Sequence, residues 1–200
     1  MEHNQLAENI HQYLYESYPN ISIKVEPWND DPSRIAIYFI EEKFNTLYPL
    51  QRYHYLIHLL PEDFFDRYLK NSVWFELAPN EKPEDLVYPD NELINDISED
   101  VFNALNSVDF FSSLDNIMAP IDSSVTAKEC QGDFELTKKI LIEKGFRNEG
   151  NIDEIFDICH VLMNHGGYCD CEILTNVIEG SNFNKIKMNN LIREIDSQQQ

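Results

Sequence analysis

The stretch His165-Gly166-Gly167-Tyr168-Cys169-Asp170-Cys171-Glu172-Ile173-Leu174 constrains the fold more than any other part of the chain. Paired glycines stop a helix, because glycine enters the left-handed conformation that other residues avoid. Asp170 follows as a residue able to cap a new helix over CEILTNVIE. A C-x-C pair lies between stop and restart, so two thiols must sit at a corner between helical segments. Upstream, Asp133 can cap FELTKKILIEK, which Gly145 ends, and Asn151 can cap IDEIFDICHVLMN, which Gly166 ends. From Thr126 onward the chain reads as helical.

Nearer the N-terminus the apolar pattern changes period. Leu6, Ile10, Tyr13, Leu14 and Tyr18 recur at helical spacing until Pro19-Asn20 ends the run. ISIKVEP alternates apolar and polar residues, as in a half-buried strand, and RIAIYFIE at 34–41 is the expected second strand of a hairpin. Trp28 to Ser33 reads as the turn between them. PLQRYHYLIHLL at 49–60 returns to helical spacing. Pro61 suits the first turn of another short helix, PEDFFDRYLK, with Glu62 and Asp63 at the positive end of its dipole. SVWFELA is the expected third strand.

This order, with Lys43-Phe44 after the second strand and Arg52 in PLQRYH on the next helix, resembles the BolA family. The resemblance covers residues 5–80 and implies a small α/β fold related to the KH class. BolA proteins help handle iron–sulfur clusters with monothiol glutaredoxins, partly through a histidine at the last strand. SVWFELA has no histidine at that strand, and Arg52 is followed by Tyr53 before His54. The resemblance therefore carries the fold further than the cluster chemistry.

Residues 79–100 are acidic and hold three prolines, the composition of a connector lying over the surface. Ser98, followed by Glu99-Asp100, can cap one helix through VFNALNSVDFFSSLDNIM, which Pro120 stops. The expected fold class is α+β: an N-terminal α-β-β-α-α-β layer followed by a mostly α-helical C-terminal part. The expected domains are a small α/β domain at 1–80, an acidic connector at 81–97 and a helical domain at 98–200 carrying the C-x-C motif. GGYCDCEIL at 166–174, with Cys130 upstream, resembles a bacterial family of unknown function marked by GGYCDCE-type sequences. That family carries an upstream C-x-H, whose histidine position holds Gly132 here. The resemblance covers roughly residues 126–179 and implies a domain boundary rather than a chemistry.

A formal net charge of −21 limits what the chain can bind. Phosphate backbones and anionic membranes repel it, so neither nucleic acid nor a membrane is an expected partner. A basic protein surface is, with solubility as the plainer use of the charge. No apolar run reaches the ~18 residues that a bilayer requires. The first residues, Met1-Glu2-His3-Asn4-Gln5, lack the basic and apolar regions of a signal peptide, so the expected location is cytoplasmic. No G-x-G-x-x-G, P-loop or G-x-S-x-G sequence is present, and no catalytic residue can be assigned.

Cys130, Cys169 and Cys171, with His160 or His165, can supply the thiolates and imidazole of a single zinc site. Three alternatives stay open. The cysteines can pack as small apolar residues with no cofactor. Cys169 and Cys171 can be redox thiols favoured by a helix N-terminus, although Asp170 and Glu172 oppose a thiolate there. His54 and His58, at i and i+4 with Glu62 beyond, can hold a metal on one helix face. The first functional expectation is a non-enzymatic acidic interaction protein, of adaptor or inhibitor type, docking a basic protein partner. Trp28, Trp74, Glu81, Glu84, Asp85 and Asp90 are its expected contacts. The second is a metal-binding accessory protein built on the cysteines and a nearby histidine.

Overall fold

Alternating apolar residues build the N-terminal sheet. In the computed structural model, β1 (Ser22–Trp28) pairs antiparallel with β2 (Asp31–Ile40), and β2 pairs in parallel with β3 (Ser72–Leu77). The strand order is β1-β2-β3. The structure describes residues 3–15, 20–28, 31–60, 64, 69, 70, 72–121, 126–149 and 152–188. The chain divides into two compact units, Met1–Tyr88 and Pro89–Gln200. Among the described residues, no helix is long and apolar enough to cross a membrane.

In the first unit the register Val25↔Ile37 and Ile23↔Phe39 puts alternate residues on one sheet face. Ile10 and Leu14 of α1 (His3–Leu14) and Leu56 of α2 (Pro49–Leu59) bury against that face, together with Phe44, Phe64 and Leu69. Pro27 sits in β1, an edge strand that tolerates a missing donor, and the register slips between Pro27 and Trp28. Asp31 to Ser33, expected as a turn, are already strand, while residues 29 and 30 lie outside the described residues. So do Tyr18, Pro19, Pro61, Glu62 and most of the short helix expected at 61–70. A 3₁₀ turn at Glu42–Thr46 joins β2 to α2.

Arg52 is buried on α2. Its guanidinium donates to the Leu47 carbonyl at 2.9 Å, to the Glu76 carbonyl at 2.9 Å and to both oxygens of Glu81. Glu81 also accepts the Ala78 amide at 2.8 Å, so the charge is matched and satisfied. The Glu76 side chain has no such support. It is 5% exposed, and its Oε1 has no hydrogen-bond partner among the described residues. Burial raises its carboxyl from 4.5 to about 7, against the partial opposition of its own amide and Arg52.

The folded carboxyl thus holds its proton more tightly than the unfolded one. Its stabilising contribution is complete below pH 4.5 and is lost as pH rises through 7. Glu76→Gln is expected to be near-neutral at pH 4 and to stabilise the unit by about 3 kcal/mol at pH 8. Urea unfolding at the two pH values checks this.

The second unit is largely helical. Residues 81–97, read from sequence as a connector, hold a 3₁₀ turn at Pro83–Asp85, still in the first unit, and helix α3 (Asn91–Asp96), in the second. Asp90 starts α3 by accepting the Glu92 and Leu93 amides at 3.0 and 3.3 Å, and Ile94 buries against the core. Ser98 does not cap the next helix but is the first residue of α4 (Ser98–Ser107). The single helix expected at 101–118 is two, α4 and α5 (Phe110–Met118). They part at Asp109, whose φ of 54° is left-handed, a conformation that aspartate tolerates better than most residues. Phe110, Leu114 and Met118 then point into the core.

Helix α6 (Glu135–Glu143) ends at Gly145, as its sequence indicates, with φ +93°. A short pair, β4 (Asn148–Glu149) with β5 (Ile152–Asp153), was not legible in the sequence. Asn151, the expected cap of the following helix, lies outside the described residues. Helix α7 (Glu154–Asn164) buries Ile155, Ile158, Cys159, Val161, Leu162 and Met163 and is the central helix of this unit. Residues 182–188 are helical, with Asp115 accepting the Asn182 and Phe183 amides at 2.7 and 2.9 Å.

Candidate metal centre

Helix α7 stops in a Schellman turn. The Gly167 amide reaches the Leu162 carbonyl at 3.0 Å and the Gly166 amide reaches Met163 at 2.9 Å. Gly166 has φ +86°, and Asn176 donates to its carbonyl at 2.9 Å. Gly167 serves a different need. A Cβ there would lie 2.8 Å from Val177 Cγ2, 3.0 Å from Ile173 Cγ1 and 3.3 Å from the Ile173 backbone. The first glycine allows the turn and the second allows the close approach. Gly167→Ala is expected to cost about 2 kcal/mol through overpacking, read as a lowered melting temperature.

The chain restarts at α8 (Asp170–Glu172), a single turn that runs into a π turn at Ile173–Val177. The Ile178 amide closes the π turn on the Ile173 carbonyl at 3.2 Å. Glu172 reaches back to accept the Tyr168 amide at 3.0 Å. Asp170, expected to cap its own helix, caps α6 instead. Its carboxylate is 2% exposed and accepts the Leu136 amide at 3.0 Å, the Thr137 amide at 2.9 Å and the Thr137 hydroxyl at 2.6 Å. Its own amide donates to the Asp133 carbonyl at 2.9 Å. Asp133 supports α6 only through the Glu135 amide at 3.1 Å. Burial raises the Asp170 carboxyl to about 6, outweighing these hydrogen bonds.

These bonds clamp the segment before α6 to the C-x-C turn, and they bring Cys130 to the pair. The Cys130, Cys169 and Cys171 sulfurs all lie within 4.8 Å of one another, with Cys169 and Cys171 at 3.2 Å. Gly132, with φ 74°, turns the loop so that its amide donates to the Cys130 sulfur at 3.4 Å. Cys169 is buried, and Cys130 and Cys171 are half-buried. Hydrogen bonds from Cys169 and then Cys171 hold the Cys130 thiol well below its ordinary value. Contact with Cys130 and then Cys171, with burial, pushes Cys169 far up. Contact with Cys130, with burial and against the contact with Cys169, pushes Cys171 to about 11. Three thiolates so close repel one another, and a cation at their centre relieves that repulsion.

The histidines do not join this group. His160 is fully buried on α7, with Nδ1 2.7 Å from the Phe156 carbonyl and its ring 4.0 Å from that of Phe156. His165 has Nε2 3.0 Å from the Ser98 hydroxyl and meets the Phe102 ring edge-on at 4.8 Å. Cys159 is buried in the core of α7 and lies outside the trio. In the first unit the His54 and His58 rings are 4.0 Å apart, and His58 Nδ1 is 2.9 Å from the His54 carbonyl. Glu62 lies outside the described residues.

The residues expected to meet a basic partner are mostly engaged within the chain. Trp28 lies tilted against Phe75 at 5.6 Å, and Trp74 lies against Tyr53 at 5.2 Å and Phe39 at 6.2 Å. Glu81 holds Arg52, Asp85 accepts the Lys82 amide at 2.9 Å, and Asp90 caps α3. Glu84 is exposed, 3.9 Å from Lys82.

Comparison with known proteins bears on the second unit. No curated protein and no solved structure matches the chain. Residues 118–176 match the model of a family described as a protein of unknown function, DUF2695, and that segment spans the last residue of α5, the three clustered cysteines and the paired glycines.

Proposed function

We propose that the second unit is a metal-binding module in which Cys130, Cys169 and Cys171 hold one soft divalent ion, zinc being the best chemical match. The observation that carries this reading is the convergence of three sulfurs within 4.8 Å from two separate segments. Zinc bonds thiolate sulfur at about 2.3 Å, which sets tetrahedral sulfur separations of roughly 3.8 Å, so a small adjustment of the trio seats the ion. A hard cation such as magnesium prefers oxygen and is a poor match for three thiolates. The ion would tie the loop before α6 to the Gly-Gly corner, an accessory and structural role. With three donors from the described residues, a fourth position is left for water or an outside donor.

The test is a zinc measurement on natively purified protein, paired with thiol titration before and after chelation. The expected result is one zinc per chain, with Cys130 and Cys171 reactive only after the chelator acts. A metal-free protein that takes up no added zinc, with both thiols reacting at once, would refute the proposal.

A further inference from the structure

Away from the cysteines, α4 and α7 leave an open groove with a volume of about 240 Å³. Val101, Ala104, Phe146 and Ile158 form an apolar floor, and carboxylates from both helices form the rim. The rim residues are Asp100 on α4 and Glu154 and Asp157 on α7. Glu154 is already committed to Arg147, whose amide it accepts at 2.8 Å and whose guanidinium lies at 3.4 Å. Asp100 is exposed.

We propose that this groove docks a basic amphipathic segment of a partner protein, with one apolar side chain on the floor and a lysine or arginine at the rim. The size suits a single aliphatic or aromatic anchor, and an apolar floor gains by losing its water. The rim fixes the sign of the partner. The exposed Asp100 complements a cation, and the chain's net charge of −21 steers basic surfaces towards it and repels anionic ones. A helix fits because it can present its apolar stripe and its cations together. This places a basic partner on residues other than Trp28, Trp74 and their neighbours, and it does not depend on the cysteine site.

A labelled Leu/Lys peptide with leucines at helical spacing serves as the probe, its binding to the full chain followed by fluorescence anisotropy at two salt concentrations. Ala104→Trp fills the floor without changing charge and should weaken binding at least about ten-fold. Replacing the peptide's leucines by glutamine should weaken it as much. Asp100→Lys should weaken it several-fold and flatten its salt dependence. Circular dichroism confirms that each variant folds, with Val101→Ser as the second floor variant. Equal binding by parent and Ala104→Trp would show charge-only association and overturn the proposal, as would a parent that ignores the peptide. A dimer dissolved by Ala104→Trp, with no peptide bound, would assign the groove to a second copy and overturn it too.

Discussion

On the proposed zinc site, Cys169→Ser is expected to abolish metal uptake and to lower the unfolding temperature of the second unit together. Serine keeps the shape of the side chain but offers a hydroxyl that does not ionise near neutral pH, so one of three soft donors is lost. Cys169 is the buried member of the trio, 3.2 Å from Cys171. Structural zinc in small fingers supplies about 10–16 kcal/mol because those domains have no other core. The unit here has its own core in Phe110, Leu114, Phe134, Ile155 and Leu162, so a smaller loss is expected, on the order of 3–5 kcal/mol. Cys159→Ala is the control, because Cys159 lies outside the cluster and should retain the metal. Metal content and thermal unfolding of the two variants, measured side by side, check both halves of the expectation.

Asp170→Ala should cost nearly as much without removing a ligand. The substitution leaves the Leu136 amide, the Thr137 amide and the Thr137 hydroxyl without an acceptor, in surroundings where Thr137 is fully buried. An unsatisfied buried donor costs about 1–3 kcal/mol and a lost helix cap about 1 kcal/mol, so a loss of about 3–5 kcal/mol is expected. Asp133→Ala removes only the 3.1 Å contact to the Glu135 amide and should cost about 0.5–1 kcal/mol. Denaturant midpoints for the two variants measure the contrast. A loss from Asp133→Ala as large as that from Asp170→Ala would show that the cap is local after all.

The Asp170 result also marks where sequence reasoning reaches its limit. An aspartate directly before CEIL has the local form of a cap for the helix that follows it, and periodicity has no means of sending it elsewhere. Its true partners, Leu136 and Thr137, lie across a tertiary contact. The two histidines make a related point. Proximity in sequence to the cysteines made His160 and His165 candidate ligands, but α7 turns His160 onto the Phe156 carbonyl and His165 ends beside Ser98. Long-range geometry decides such matters.

Other features were legible because their physics is local. The helix stops at Gly145 and Gly166 follow from backbone conformation alone, and both glycines have positive φ. The strands were legible at 22–27, 34–40 and 72–77 from alternation, β-branched and aromatic content, whereas Trp28 and Asp31 to Ser33, read as turn, are strand as well. The split between α4 and α5 was hidden because Val108-Asp109 carries no glycine or proline to announce it. Helix α3 was hidden by an acidic, proline-rich composition whose organising residue, Asp90, is only one of many carboxylates.

The most direct test of the cysteine centre is X-ray absorption at the metal edge of the natively purified protein, which counts the atoms around the ion. Three sulfur neighbours at about 2.3 Å with one lighter atom is the expected result. A shell of nitrogen and oxygen alone would contradict it and place the ion elsewhere on the chain.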